Sequence, residues 1–116
     1  MLSIAFCDDE PIMLEELFNV VKGYIDSKKV EFTADLFESG EEFVEKGVRC
    51  RKYDIVFLDI EMKEMNGLEA AAWFRKLNEQ SKVIFVSSHV EYTLDAFKVA
   101  AFRYIIKNKD TMTQAV

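Results

Sequence analysis

The sequence has no apolar run approaching the roughly eighteen residues that a membrane span needs, so a spanning helix is not expected. Its two cysteines, Cys7 and Cys50, do not form a CxxC pair. The first residues lead straight into an acidic cluster and do not read as a signal peptide. Both thiols therefore read as reduced and cytosolic. The single histidine, His89, has no second histidine or paired thiolate to make a zinc site with. Gly23, Gly40, Gly47 and Gly67 never cluster into GxGxxG or a P-loop, which disfavours nucleotide or flavin binding. Positive charge is scarce: 15 Lys and Arg stand against 21 Asp and Glu, a net −6. A domain so charged lacks the basic patch that grips a phosphate backbone, and suits a basic protein partner or a divalent cation. There are no repeats and no low-complexity tracts.

What is present is apolar and rhythmic. Half of the 116 residues are hydrophobic and ten are Phe, enough for the core of one domain without staples. Residues 2–7 read as a strand. Pro11 then opens a helix in which Leu14, Leu17, Phe18, Val21 and Ile25 share a stripe, fading by Lys28-Lys29. Residues 30–37 alternate as a second strand. Ser39, with Glu42 three residues on, caps a short helix to about Gly47. Residues 54–58 form a third strand. Asn66-Gly67 breaks the following loop, and Leu68 to Glu79 is helical with Ala70, Phe74 and Leu77 on one side. Residues 82–86 are a fourth strand, Glu91 to about Ala100 a helix, and residues 102–106 a fifth strand. Asp110 caps a final helix that is expected to be cut short at Val116. Strands alternating with helices imply an α/β domain, doubly wound about an open parallel sheet covered on both faces.

Ligands of such sheets bind beyond the carboxyl ends of the strands. The first strand ends in Asp8-Asp9-Glu10, the third in Asp59, the fourth in Ser87-Ser88-His89 and the fifth in Lys107. Asp59 is the odd one, an ionisable group placed directly after the buried run Ile55-Val56-Phe57-Leu58. Brought close, Asp8, Asp9 and Asp59 would repel, and one would hold a proton unless a cation intervened. Oxygen-only ligands suit Mg2+. An ionised Asp59 could attack phosphorus to give an aspartyl phosphate. Lys107 is the natural cation for the developing charge, and Ser87 could donate a hydrogen bond to a phosphoryl oxygen.

In these features the chain resembles the receiver domains of two-component response regulators. The resemblance covers essentially the whole chain and rests on Asp8-Asp9, "VFLDIEMKEMNGLEAA" around Asp59, "VIFVSS" ending at Ser87 and "FRYIIK" ending at Lys107. The stretch "HVEYTLDAFKVAAFRYIIK" is most similar to the subgroup that precedes a LytTR-type DNA-binding domain. The resemblance implies a five-stranded parallel sheet of flavodoxin-like receiver fold, strand order 2-1-3-4-5. It implies that residues 1–116 are the receiver and that a C-terminal output domain follows in the natural protein. Asp59 would be the phosphoacceptor, with Lys107 and Ser87 acting on the phosphoryl group and Tyr104 as the aromatic switch. Asp8, Asp9, Asp59 and the backbone carbonyl of Glu61 would hold Mg2+. A sensor histidine kinase would be the phosphodonor, and the receiver itself would be cytoplasmic. Self-association would use the face of the fourth helix, fifth strand and final helix, and this domain itself would touch neither nucleic acid nor membrane.

Two positions depart from the family. Asn108 follows Lys107 where the family usually has Pro after a cis peptide, a bond that costs a non-proline residue about 3–4 kcal/mol. Lys63 replaces a proline often found after the phosphoacceptor. The first departure keeps a phosphorylation-independent binding module, a pseudo-receiver, as the alternative function. A phosphatase of haloacid-dehalogenase type is disfavoured because Glu61 stands where a second Asp would act. Taken singly, the same residues have plainer readings. Asp8-Asp9 makes a turn, Ser87 is a loop hydroxyl, Lys107 a surface lysine, Tyr104 a strand aromatic and His89 an exposed loop residue. His89 and Glu61 also occupy the family's two variable positions, where they could tune the access of water. Met62, Met65 and Trp73 read as packing residues. Cys50 reads as a surface-loop thiol without a role, although its basic neighbours could lower its pKa.

Overall fold

Five apolar runs pair side by side as parallel strands: β1 (Leu2–Cys7), β2 (Phe32–Phe37), β3 (Ile55–Asp59), β4 (Lys82–Ser87) and β5 (Arg103–Ile106). The computed structural model describes residues 1–107; the expected cap at Asp110, the final helix and the Lys107–Asn108 peptide lie outside them. Across the sheet the order is β2-β1-β3-β4-β5, the expected one. Helices α1 (Pro11–Ser27), α2 (Gly40–Glu45), α3 (Gly67–Leu77) and α4 (Thr93–Lys98) fill the crossovers.

Period-two alternation divides the strands between two cores. Ile4, Phe6, Phe57 and Val86 meet Leu14, Leu17 and Ile25 of α1 on one face. Phe6 and Phe57 stack there with centroids 5.0 Å apart. Ala5, Cys7, Val56, Leu58, Val83 and Phe85 face the other side, against Phe43 of α2 and Ala70, Ala71 and Phe74 of α3. Phe43 is the hub of that side, within 6.2 Å of the rings of Phe37, Tyr53, Trp73 and Phe74. Met62 is buried in this cluster, and Met65 and Trp73 pack against it, as packing residues should.

Local chemistry sets the helix starts. Pro11 opens α1. The Ser39 hydroxyl accepts from the Glu42 amide at 3.0 Å. Asn66, expected only as a loop breaker, is the N-cap of α3: its side chain accepts from the Glu69 amide at 2.9 Å while Glu69 accepts from the Asn66 amide at 3.0 Å. This reciprocal capping box is written in the spacing Asn-x-x-Glu.

Two segments differ from expectation. The helix foreseen from Glu91 to Ala100 is a 3₁₀ turn at Val90–Tyr92 followed by a short α4. A 3₁₀ helix at Gly47–Lys52, unforeseen, follows α2. It carries Cys50 inward, so the thiol is fully buried and donates to the Phe43 carbonyl at 3.4 Å. The surface-loop reading of Cys50 is thereby corrected. Burial outweighs Lys46, Lys52 and Arg49 and pushes the thiol up to about 11 rather than down. Cys7 is equally buried, and burial with Asp8 and Asp59 nearby raises it further. A thiol reagent at pH 8 will therefore label neither cysteine in the native protein and both after denaturation. Counting labels by intact mass with and without guanidinium checks this.

Candidate functional site

The parallel sheet delivers the carboxyl ends of β1, β3, β4 and β5 to one edge, and there the expected residues meet. The Lys107 ammonium lies 2.8 Å from Asp8 Oδ2 and 3.1 Å from Asp59 Oδ1, with Glu10 Oε1 at 3.9 Å. Asp8, Asp59 and Ser87 are buried. Lys107 reaches this point because its amide donates to the Ser87 carbonyl at 2.7 Å, extending the pairing of β5 with β4 by one residue.

Burial is the largest influence on Asp59 and Asp8 the next. Together they outweigh Lys107 and hold the Asp59 carboxyl up at about 7. Burial alone would depress the Lys107 ammonium. Its bonds to Asp8 and the charge of Asp59 reverse that and leave its pKa raised. Among the described residues one cation thus serves two buried carboxylates, and the cluster is left short of positive charge. Carboxylate oxygens of Asp8, Asp9 and Glu10 lie within 4.8 Å of one another. That all-oxygen donor set is the kind a hard divalent cation takes. The Asp8 carboxylate also accepts from the Glu10 amide at 2.9 Å, which fixes the turn out of β1. Asp9 is tied differently, accepting from the Lys63 amide at 3.1 Å.

That last bond belongs to the loop between β3 and α3, whose anchors were not all foreseen. The Met65 amide donates to Glu41 of α2 at 3.2 Å, and the Gly67 amide donates to the Ile60 carbonyl at 2.9 Å. In the sequence Gly67 reads only as a breaker. A Cβ there would sit 2.1 Å from the Asp59 carbonyl oxygen, so the start of α3 can lie against the Asp59 backbone only without a side chain. Nothing in the sequence distinguishes Gly67 from a glycine needed for a left-handed turn. Lys63, at the departure from the family's proline, uses the amide that a proline would lack.

A second group stands at the end of β4. Ser87 Oγ accepts from the His89 amide at 3.1 Å. The Tyr104 phenol points inward and donates to the His89 carbonyl. The His89 ring bridges Glu61 Oε2 at 3.0 Å and Glu91 Oε2 at 3.2 Å, and the Tyr92 hydroxyl donates to Glu61 Oε1 at 3.3 Å. His89 is thus not a free loop residue: with Tyr92, which sequence reasoning missed, it joins the β3–α3 loop to the β4–α4 loop. Of Glu61, this arrangement fixes the side chain.

Known proteins share this architecture. The family described as the response regulator receiver domain matches residues 4–116. The chain belongs to that family. It is 31% identical over 103 residues to the transcriptional regulatory protein LytR of Staphylococcus aureus (strain N315), covering 86% of this chain and 39% of LytR. It is 35% identical over 112 residues to the sensory transduction protein LytT of Bacillus anthracis, covering 95% of this chain and 43% of LytT. The chain therefore spans about two fifths of the curated relatives it matches. Among solved structures, the Thermotoga maritima response regulator TrrA in complex with Mg(2+)-BeF superposes with a TM-score of 0.71 at 32% identity, covering 95% of this chain and 90% of TrrA. A CheY-like receiver of Methanospirillum hungatei JF-1 reaches 0.77 at 19% identity, covering 92% of this chain and 82% of its own, which speaks for the fold alone. Both the receiver assignment and the LytTR-associated subgroup agree with the sequence. Receiver domains are signalling domains, not classical enzymes, and take their phosphoryl group from sensor kinases. Among the described residues no helix is long and apolar enough to cross a membrane.

The receiver's raised carboxyl gives a pH signature. The folded pKa of Asp59 lies above its ordinary 3.8, so between pH 4 and 7 the native state keeps a proton that the unfolded chain has released. Stability from this group is complete below that range and is lost as pH rises through about 7. In chelator, Asp59→Asn will therefore be more stable than wild type at pH 8 by a few kcal/mol, with the gap shrinking by pH 5. Urea unfolding of both proteins at the two pH values measures it.

Proposed function

We propose that this receiver is a phosphorylation switch whose acceptor is Asp59. The observation that carries the reading is the Lys107 ammonium bound to both Asp8 and Asp59 at the buried strand ends. A carboxylate oxygen of Asp59 attacks the phosphorus of a kinase phosphohistidine; the O–P bond forms as the P–N bond breaks, and the imidazole leaves. Lys107 stabilises the charge on the phosphoryl oxygens, and Ser87 offers them its hydroxyl. Asp8, Asp9, Asp59 and the Glu61 carbonyl would hold Mg2+, which supplies positive charge to the phosphoryl group and favours ionised Asp59. The likeness to TrrA, seen with Mg(2+)-BeF, supports that metal. Lys107 within 3.1 Å of Asp59 favours this reading over a phosphorylation-independent module.

The signal leaves through Ser87 and Tyr104. Drawing the Ser87 hydroxyl toward a phosphoryl oxygen disturbs its bond with the His89 amide, and the Tyr104 phenol bonds that same residue. The exposed Val90, Leu94, Phe97 and Phe102 lie on the α4–β5 side, which with the final helix would serve self-association. A sensor histidine kinase is the donor, and the receiver meets it in the cytoplasm. The output is transcriptional, in keeping with the name of the transcriptional regulatory relative LytR, and runs through a C-terminal domain of LytTR type that binds DNA.

Incubation with phosphoramidate and Mg2+ will add one phosphoryl group to the wild type and none to Asp59→Ala, read as intact mass. A folded wild type that stays unmodified at saturating Mg2+ would turn the reading to the phosphorylation-independent module. The Glu61–His89 bridge further sets the lifetime. It ties the Glu61 carboxylate, two residues past Asp59, to the loop after β4, a position from which it would limit the access of water to the site. His89→Ala will release that carboxylate and shorten the life of the adduct severalfold, followed as decay of the phosphorylated mass after the donor is removed.

A further inference from the structure

The two ends of α4 are held by different means. At the C-terminal end, the Ala101 amide donates to the Ala96 carbonyl at 3.1 Å and the Ala100 amide to Phe97 at 3.0 Å. These are the paired bonds of a Schellman motif, and they require the left-handed φ of +56° seen at Ala100, a conformation normally left to glycine. The next carbonyls, of Val99 and Ala100, are taken by one side chain from α3. Arg75 Nε donates to the Val99 carbonyl at 2.9 Å and Nη2 to Ala100 at 2.7 Å. Its Nη1 reaches Ser81 at 2.6 Å, with Glu79 at 3.4 Å and Asn78 at 3.5 Å. A planar, permanently charged fork thus fastens the end of α4 to the end of α3 and the approach to β4.

Among the described residues the N-terminal end has no such fastening. Neither Tyr92, at the start of α4, nor His89, at the start of the 3₁₀ turn before it, makes a side-chain cap bond. The ties that hold this end run to the functional site: Ser87 to the His89 amide, Tyr104 to the His89 carbonyl, and Glu61 to the His89 ring and Tyr92.

We propose that Arg75 is the fixed pivot of α4: phosphorylation displaces the N-terminal end, residues 89–94, while residues 99–101 stay clamped to α3. The inference rests on the phosphorylation reading above and adds its mechanics. The exposed side chains divide accordingly. Val90 and Leu94 ride on the moving end and carry the signal-dependent part of the surface, whereas Phe97 and Phe102 lie toward the clamp and present a constant part. Arg75 touches no reacting group and is a positioning residue.

Amide hydrogen exchange on the full chain tests this, for wild type and Arg75→Lys, with Mg2+ and with or without phosphoramidate, intact mass reporting the phosphoryl group in each sample. In the wild type, phosphorylation is expected to change exchange over residues 88–95 and to leave 99–103 unaltered. Lysine keeps the charge but cannot serve five carbonyls, so in the unphosphorylated variant exchange at 99–103 should rise about tenfold or more. In the phosphorylated variant the change should spread from 88–95 into 99–103. The pivot is overturned if wild-type phosphorylation alters 99–103 as much as 88–95, or if Arg75→Lys exchanges there like wild type. Should the variant fail to fold, the wild-type pair of maps decides. Should the wild type take no phosphoryl group, the phosphorylation reading fails, and the two unphosphorylated maps still show whether Arg75 holds the clamp.

Discussion

Lys107 sends its ammonium between Asp8 and Asp59, 2.8 Å from one oxygen and 3.1 Å from the other, with only 7% of its side chain exposed. Two carboxylates at such depth cannot both stay ionised cheaply, and one lysine compensates only part of their charge. Much of the surrounding structure can be understood as what keeps that imbalance in place. Strands β1, β3 and β5, with β4 joining the last two, set the three groups at one edge. Phe6 and Phe57 close the sheet face on the α1 side, and Ala5, Cys7 and Leu58 close the other. Among the described residues the carboxylates of Asp8 and Asp59 are thus buried beyond two closed sheet faces. A group whose charge is incompletely neutralised is a group ready to respond to added charge.

The loop after Asp59 shows how closely that edge is specified. Its amides are spoken for by Asp9 at Lys63, Glu41 at Met65 and the Ile60 carbonyl at Gly67. The capping box of Asn66 and Glu69 then turns the chain into α3. None of these contacts involves a reacting atom. They determine where the Asp59 backbone lies, and Gly67 leaves room for α3 to rest against it. Charge at the site and the path of the loop are thus coupled through Asp9, which belongs to the acidic cluster and to the loop's anchoring at once.

The fold was legible because its signals are local and repeated. Apolar runs of strand length alternate with helical stripes, and burial on both faces removes the polar alternation from β1, β3 and β4. The acidic, hydroxyl and lysine residues at the strand ends were legible for the same reason, since the sheet rule says where strand ends converge. What stayed hidden depends on contacts between distant segments. Cys50 looked like a surface thiol because its neighbours in sequence are basic, while its burial under Phe43 comes from a 3₁₀ helix with no strong pattern. The division of the fourth helix into a 3₁₀ turn and a short α4 follows from ties at His89 and Arg75 that lie outside the segment. Gly67 and Asn66 were visible as residues but not as roles. Of the two, only Asn66 had a readable signal, the Glu69 three positions on.

The same distinction between local and distant determinants separates the two ends of α4. The segment itself is a weak helix, six residues long with a valine and an alanine at its C-terminal boundary. A helix so short has little intrinsic stability, so its position is set by whatever holds its ends. At one end the partner is a guanidinium with several carbonyls to satisfy, an arrangement with no second geometry of comparable bonding nearby. At the other end the partners are Ser87, Tyr104, Glu61 and the His89 backbone, single bonds that can be exchanged for others when charge near Asp59 changes. A weak element fixed at one end and conditionally held at the other amplifies a small local change into a rotation of its free end. Low helical propensity is in that sense a requirement here: a longer, self-sufficient α4 would be less dependent on the site for its position.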